Sequence, residues 1–263
     1  VNFACQDVVV EEFRLDGGNV GGAVRVGDTV RRASGAWTSA VHAILSHLER
    51  KGFAGSPRVQ GFDTRGREVL TFLPGETVGS HKPWPAWVHA DATLDHVARW
   101  LRSYHEAISD FVPAQDAVWR MGGRWEPGLI IGHNDTTPYN AVWRDDRVAG
   151  FFDWDFAGPV TVEWDLAYAA FSWVPLHARS VVEEEGFQDF AGRPRRLRRF
   201  LDRYGWSGEL DTFLDVMRDR LRAHAEGVRD LAANGDSAFA RLQEQGVIDD
   251  LDRALIELEL LHL

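Results

Sequence analysis

Apolar and polar positions follow two rhythms in this chain, and the change falls near Leu73-Pro74-Gly75. Before it the pattern is mostly one of short extended runs. Val8-Val9-Val10-Glu11-Glu12-Phe13-Arg14-Leu15 reads as a strand, and the glycine-rich Asp16-Gly17-Gly18-Asn19-Val20-Gly21-Gly22 as the turn that follows it. Ala23-Val24-Arg25-Val26 and Thr29-Val30-Arg31-Arg32 predict a hairpin around Gly27-Asp28, residue types that suit a two-residue turn. Val41, Ile44, Leu45 and Leu48 recur at helical spacing, with Gly52 as the stop. Glu68-Val69-Leu70-Thr71-Phe72-Leu73 is a further strand, broken by Pro74-Gly75.

After the break the helical period takes over. Leu94, Val97, Ala98, Leu101, Tyr104 and Ile108 mark an amphipathic helix, with Thr93 as its candidate N-cap. A stretch rich in Gly, Pro and Trp over 112–128 predicts a loop ahead of the apolar run Leu129-Ile130-Ile131. Ala141-Val142-Trp143 and Val148-Ala149-Gly150-Phe151-Phe152 flank Asp145-Asp146 and predict a second hairpin. From about 165 onward helical periodicity runs to the end. There is no internal repeat. The pattern predicts an α+β fold of two lobes, a small β-rich one over 1–73 and a larger, mostly helical one over 74–263.

Composition narrows the class without naming the chemistry. With 44% hydrophobic and 26% charged residues, the chain has the balance of a soluble globular protein. No run approaches the roughly 18 apolar residues of a membrane span. The N-terminal residues lack the basic and apolar regions of a signal peptide, so a cytoplasmic protein is expected. Cys5 stands alone, which excludes an internal disulfide and a cysteine-rich metal site. A net charge of −11 argues against affinity for nucleic acid or an anionic membrane surface and favours a cationic partner.

The segment that carries chemistry is His133-Asn134-Asp135-Thr136-Thr137-Pro138-Tyr139-Asn140, with Phe151-Phe152-Asp153-Trp154-Asp155 following the hairpin. Strand ends on either side of a hairpin lie close together, so Asn140 and Asp153 converge. Two hard oxygen ligands suit Mg²⁺, which takes few protein ligands and keeps its other positions for phosphate and water. Asp135 can then orient a substrate hydroxyl in line with phosphorus.

These residues resemble the catalytic loop and metal-binding aspartate of protein kinases. The form here, H-N-D-x-x-P-x-N followed by F-D-W-D and Asp165-Leu166-Ala167, resembles more closely the aminoglycoside phosphotransferase and choline kinase family. Weaker traces are the glycine turn, Leu73-Pro74-Gly75-Glu76 and Tyr104-His105. The resemblance implies a bilobal, protein-kinase-like fold that uses ATP, or GTP, and Mg²⁺ to phosphorylate a hydroxyl. It implies Asp135 as the catalytic aspartate and Asn140 and Asp153 as metal ligands, with Asp155 at a second metal position or behind it. His133 and Asp165 would hold the loop, Gly18 and Gly21 would lie at the phosphates, and the Thr71 carbonyl and Leu73 amide would meet the purine.

The chain departs from the family where a strand lysine should contact the phosphates and pair with a helix glutamate. Its only lysines are Lys51 and Lys82. The matching strand offers Arg31, the better positional match, or Arg32 if the strand slips by one. The helix that should bring the glutamate has His42 near its middle and Glu49 only at its end. For the acceptor, Glu163, Glu183, Glu184, Glu185 and Asp189 would form an acidic patch in the helical lobe. Trp154, Trp164, Phe171 and Trp173 would add cation–π contacts. The expected acceptor is therefore a small, amine-bearing alcohol such as an aminoglycoside. The missing lysine also leaves open a nucleotide-binding regulatory pseudokinase. A protein kinase is disfavoured because no Ala-Pro-Glu segment follows Asp153.

Overall fold

The computed structural model describes residues 11–15, 22–79 and 81–260. The start of the first expected strand, Gly18 and Gly21 lie outside the described residues. An antiparallel five-stranded sheet comes first, with strands β1 (Phe13–Arg14), β2 (Val24–Val26), β3 (Thr29–Arg32), β4 (Val59–Phe62) and β5 (Glu68–Thr71). Their order across the sheet is β1-β2-β3-β5-β4. Helix α1 (Thr38–Arg50) packs its apolar stripe inward, and Val41, Ile44, Leu45 and Leu48 are buried as their spacing predicts. Gly52 closes the helix at φ +70°, a conformation that costs a residue with a Cβ. β4 has no counterpart in the sequence reading. Gly61 sits in it at φ +100°, the pairing with β5 shifts register there, and no apolar alternation survives.

The second part is mostly helical: α2 (Asp91–Ile108), α3 (Val162–Trp173), α4 (Arg179–Glu184), α5 (Arg193–Tyr204), α6 (Leu210–Ala233), α7 (Ser237–Glu244) and α8 (Val247–Glu259). α2 begins three residues earlier than expected, with Ala90 rather than Thr93 as its N-cap. Thr93 lies fully buried inside the first turn, where its hydroxyl donates to the Trp87 carbonyl at 2.5 Å. The six apolar positions that predicted α2 are all buried, and Leu94, Val97, Leu101 and Ile108 each contribute about 1.5–3 kcal/mol of burial. Inserted between α2 and α3 are two pairs of short strands. β6 (Ile130–Gly132) pairs with β9 (Gly158–Val160), and β7 (Ala141–Arg144) with β8 (Arg147–Phe151). Asp145 and Asp146 turn the second pair at φ +53° and +56°. Positive φ at both central residues is the signature of a type I′ turn.

Backbone hydrogen bonds help fix the first part to the second. Glu76 and Trp143 exchange both backbone hydrogen bonds at 2.8 Å, and the Phe151 amide donates to the Gly55 carbonyl at 3.1 Å. Gly150 lies against the Gly55 backbone, so a Cβ there would collide with main chain. The hairpin ends in a buried aromatic set, Trp100, Tyr104, Phe151, Trp154 and Trp173. That set forms the floor on which the loops between β6 and α3 rest.

Candidate active site

The chain leaves β6 at Gly132 and crosses an irregular loop to a single tight turn, Pro138–Asn140. What holds the loop is visible residue by residue. His133 is fully buried with its ring 4.5 Å from that of Trp154, and its Nδ1 accepts the Asp135 amide at 3.3 Å. Asn134 takes φ +62°, which Asn tolerates better than most residues. Asp165, in the first turn of α3, accepts the His133 and Asn134 amides at 3.2 and 2.7 Å. His105 Nε2 lies 2.9 Å from the same carboxylate, and Tyr104 donates to the Ile131 carbonyl at 2.5 Å. Burial works to raise the Asp165 carboxyl, but His105 and the backbone amides outweigh it, and its pKa lies below the usual carboxylate range.

On this support three side chains converge. Asn140 Nδ2 donates to Asp135 Oδ2 at 2.7 Å and to the Asp135 carbonyl at 3.1 Å. The Phe152 amide donates to the Asn140 carbonyl at 3.0 Å, which sets Asn140 beside Asp153 at the end of β8. Asp153 takes φ 58° and ψ 70°, a left-handed conformation that strains a non-glycine residue and is typical of functional positions. Its side chain is 32% exposed. Burial, reinforced by the nearby charge of Asp153, pushes the Asp135 carboxyl up to about 7 against the pull of Asn140 and Arg220.

Arg32 spans this site from the sheet. Its Nε meets Glu68 Oε1 at 2.5 Å, Nη1 meets Asp153 Oδ1 at 2.7 Å, and Nη2 meets Asp155 Oδ1 at 2.5 Å. Burial disfavours the guanidinium charge, but the three carboxylates prevail and its pKa is raised. Arg31 lies one position away in a strand of period two and points elsewhere, with Nη1 3.8 Å from Asp63. Arg31, the better positional match from the sequence, thus faces away from Glu68, Asp153 and Asp155, and Arg32 faces them. Glu68 faces Arg32 directly across β3 and β5 and also takes His42 Nε2 at 3.0 Å. The carboxylate that meets Arg32 Nε thus lies on a strand, and helix α1 brings His42 to it. Arg120 completes the network 3.3 Å from both Asp155 and Asp236, its guanidinium 4.7 Å over Trp37. Burial raises the Asp155 carboxyl even though Arg32 opposes it.

Sequence reasoning missed Glu68, Arg120 and Arg220. Only Glu68 left a signal, as a strand residue that faces Arg32 once the two strands are paired. At the junction of the two parts, Thr71 ends β5, its amide donating to the Arg58 carbonyl at 2.9 Å. Leu73 follows in the segment that leads to the Glu76–Trp143 link. The donor set of Asn140 and Asp153, hard oxygens with one carboxylate open to solvent, fits Mg²⁺. Among the described residues no group of three or more His, Cys, Asp or Glu is arranged to hold a metal alone, so any cation would draw other ligands from water or phosphate.

Of the acids expected to receive an amine, four are engaged elsewhere. Glu183 pairs with Arg179 at 2.9 Å, Glu184 with Lys82 at 3.4 Å, and Asp189 accepts the Gly192 amide at 3.0 Å. Glu185 is 4% exposed, 3.5 Å from the Tyr139 hydroxyl and 3.9 Å from Lys82 Nζ. Burial pushes it up to about 7. Glu163 is exposed on the first turn of α3. Trp154, Phe171 and Trp173 belong to the core. No helix among the described residues is long and apolar enough to cross a membrane.

Residues 114–200 match the phosphotransferase enzyme family. Over 202 residues, 75% of each chain, the sequence is 37% identical to the trifolitoxin immunity protein of Rhizobium leguminosarum bv. trifolii. The fold is similar to that of a choline/ethanolamine kinase family protein of Mesorhizobium loti, with a TM-score of 0.57 and 14% identity over 97% of this chain and 94% of that one. The GDP complex of aminoglycoside 2′-phosphotransferase-IIIa gives a TM-score of 0.57 and 15% identity over 96% and 95%. The macrolide 2′-phosphotransferase MphH of Brachybacterium faecium gives 0.55 and 15% over 88% and 89%. At such identities the structural likeness carries the fold, which is the α+β, protein-kinase-like one expected.

Proposed function

Because the chain belongs to the phosphotransferase enzyme family, we propose that it moves the γ-phosphate of ATP or GTP to a hydroxyl of a small molecule. The observation that supports this best is the meeting of Asp135 and Asn140, on one braced loop, with a strained Asp153 at the end of the hairpin that follows. Asp135 would orient the acceptor hydroxyl and take its proton, a role that suits a carboxyl whose pKa lies near the working pH. Asn140 and Asp153 would hold Mg²⁺, which when bound neutralises charge developing on the phosphates. Arg32 would grip the phosphates in place of the family lysine, positioned by Glu68. Arginine's planar fork suits that task by two parallel hydrogen bonds. Gly18 and Gly21 would lie over the phosphates and the Thr71 carbonyl and Leu73 amide would meet the base, in a cleft between lobes 1–73 and 74–263. Work of this kind belongs in the cytoplasm, where nucleoside triphosphates are abundant. The immunity protein among the relatives favours a protective role, by modification of a toxic compound.

A second reading, a regulatory pseudokinase, draws support from the arginine in the lysine's place. One experiment separates the two. Nucleotide binding with Mg²⁺ is measured by calorimetry, and γ-phosphate transfer is followed across a panel of alcohols. Binding with transfer, lost in Asp135→Ala, fits the enzyme; Mg²⁺-dependent binding with no transfer to any acceptor fits the pseudokinase.

A further inference from the structure

Arg220, on α6, lies against the loop that carries Asp135. Its Nη2 donates to the Asn134 carbonyl at 3.1 Å, and its guanidinium stands 4.3 Å from the Tyr168 ring centre and 5.7 Å from that of Trp164. Its Nε is enclosed and makes no hydrogen bond. Among the described residues no carboxylate lies within 4.0 Å of it. The other buried or half-buried arginines of those residues all have one, as Arg32, Arg120, Arg193 and Arg196 do. An enclosed cation that feels Asp135 and Asp165 only at longer range, with no carboxylate in direct contact, is costly, so its retention asks for a purpose.

The nearest acids are already committed. Asp165 is taken by His105 and two backbone amides, and Asp135 by Asn140. The expected acidic patch does not compete either, since Glu183 and Glu184 are paired elsewhere and Glu185 is buried beside Lys82. Of the charged side chains that α3 and α6 bring to the catalytic loop, Arg220 is the one with unused donors.

We propose that Arg220 binds an anionic group of the acceptor, a carboxylate or similar oxyanion, and so presents the acceptor's hydroxyl to Asp135. The proposal rests on the phosphotransferase reading and replaces the amine-bearing acceptor with an acidic one. A guanidinium offers a carboxylate two parallel hydrogen bonds, which fixes orientation as well as affinity.

The test uses the full chain with Mg²⁺ and nucleotide and three hydroxyl compounds: N-acetylserine, its neutral carboxamide and ethanolamine. The acid is expected to be the best acceptor. Arg220→Gln is expected to raise its KM about 10- to 100-fold, the size of a lost hydrogen bond to a charged group. The carboxamide should change little, and Arg220→Lys should recover part of the loss. Equal use of acid and carboxamide by the wild type overturns the proposal. So does an Arg220→Gln loss shared by all three compounds, which would assign the arginine to the transferred phosphate. If none is phosphorylated, titration into the nucleotide-loaded protein decides. Binding selective for the acid and lost in Arg220→Gln keeps the arginine's role while the transfer reading fails. Absence of such binding removes the role as well.

Discussion

Arg32 holds three carboxylates with one side chain, and this is possible only because a guanidinium is a planar fork. A lysine is a single point of charge and cannot span Glu68, Asp153 and Asp155 together. Arg32→Lys is therefore expected to raise the nucleotide KM by roughly tenfold, about the value of one charged hydrogen bond, with a smaller change in kcat. Steady-state kinetics at saturating acceptor checks this. Glu68 is buried against Arg32 and His42, and Glu68→Ala should cost about 3–5 kcal/mol of stability, the usual result of removing one partner of a buried pair. A fall in the urea midpoint at unchanged slope would show it. Asp135, Asn140 and Asp153 were legible in the sequence because one short segment and one hairpin carry them. Glu68 was not, because its role comes from cross-strand register. The choice between Arg31 and Arg32 turned on the parity of a single strand, which composition does not reveal.

At the scale of elements, legibility followed periodicity. α1 and α2 were visible because their buried positions repeat at helical spacing, and the β7–β8 hairpin because two apolar runs flank a polar pair. β4 was hidden by its glycine and its register shift. The β7–β8 turn matters to the site, since it sets how Asn140 meets Asp153. Its two aspartates both adopt positive φ. The double substitution Asp145→Asn with Asp146→Gly installs the pair that type I′ turns favour. It should relieve that strain and stabilise the protein by about 0.5–1 kcal/mol. Thermal melting at fixed pH measures the gain. On α2, Leu101→Ala removes a fully buried side chain, and its cost should be about 2–5 kcal/mol.

For the whole molecule, pH acts through buried groups of opposite sign. Burial pushes the His177 and His224 imidazoles down to about 4 and about 3, so below about pH 6.5 the unfolded chain binds protons that the folded one refuses. These histidines therefore take stability away as pH falls from 6.5. Glu185, raised to about 7, binds its proton earlier in the fold than in the unfolded chain and returns some stability over the same range. His224→Gln should improve stability at pH 5 relative to pH 8 by up to about 2 kcal/mol compared with the wild type. Denaturant midpoints at the two pH values test the sign. The central claim is that one loop and one hairpin form a phosphoryl-transfer centre at Asp135, Asn140 and Asp153. It is tested most directly by following phosphorus NMR of Mg²⁺-nucleotide with an acceptor panel, using wild type and Asp135→Asn. A new phosphomonoester signal with the wild type, slowed about 100-fold or more in the variant, is the predicted result. Transfer that proceeds unchanged in Asp135→Asn would contradict it.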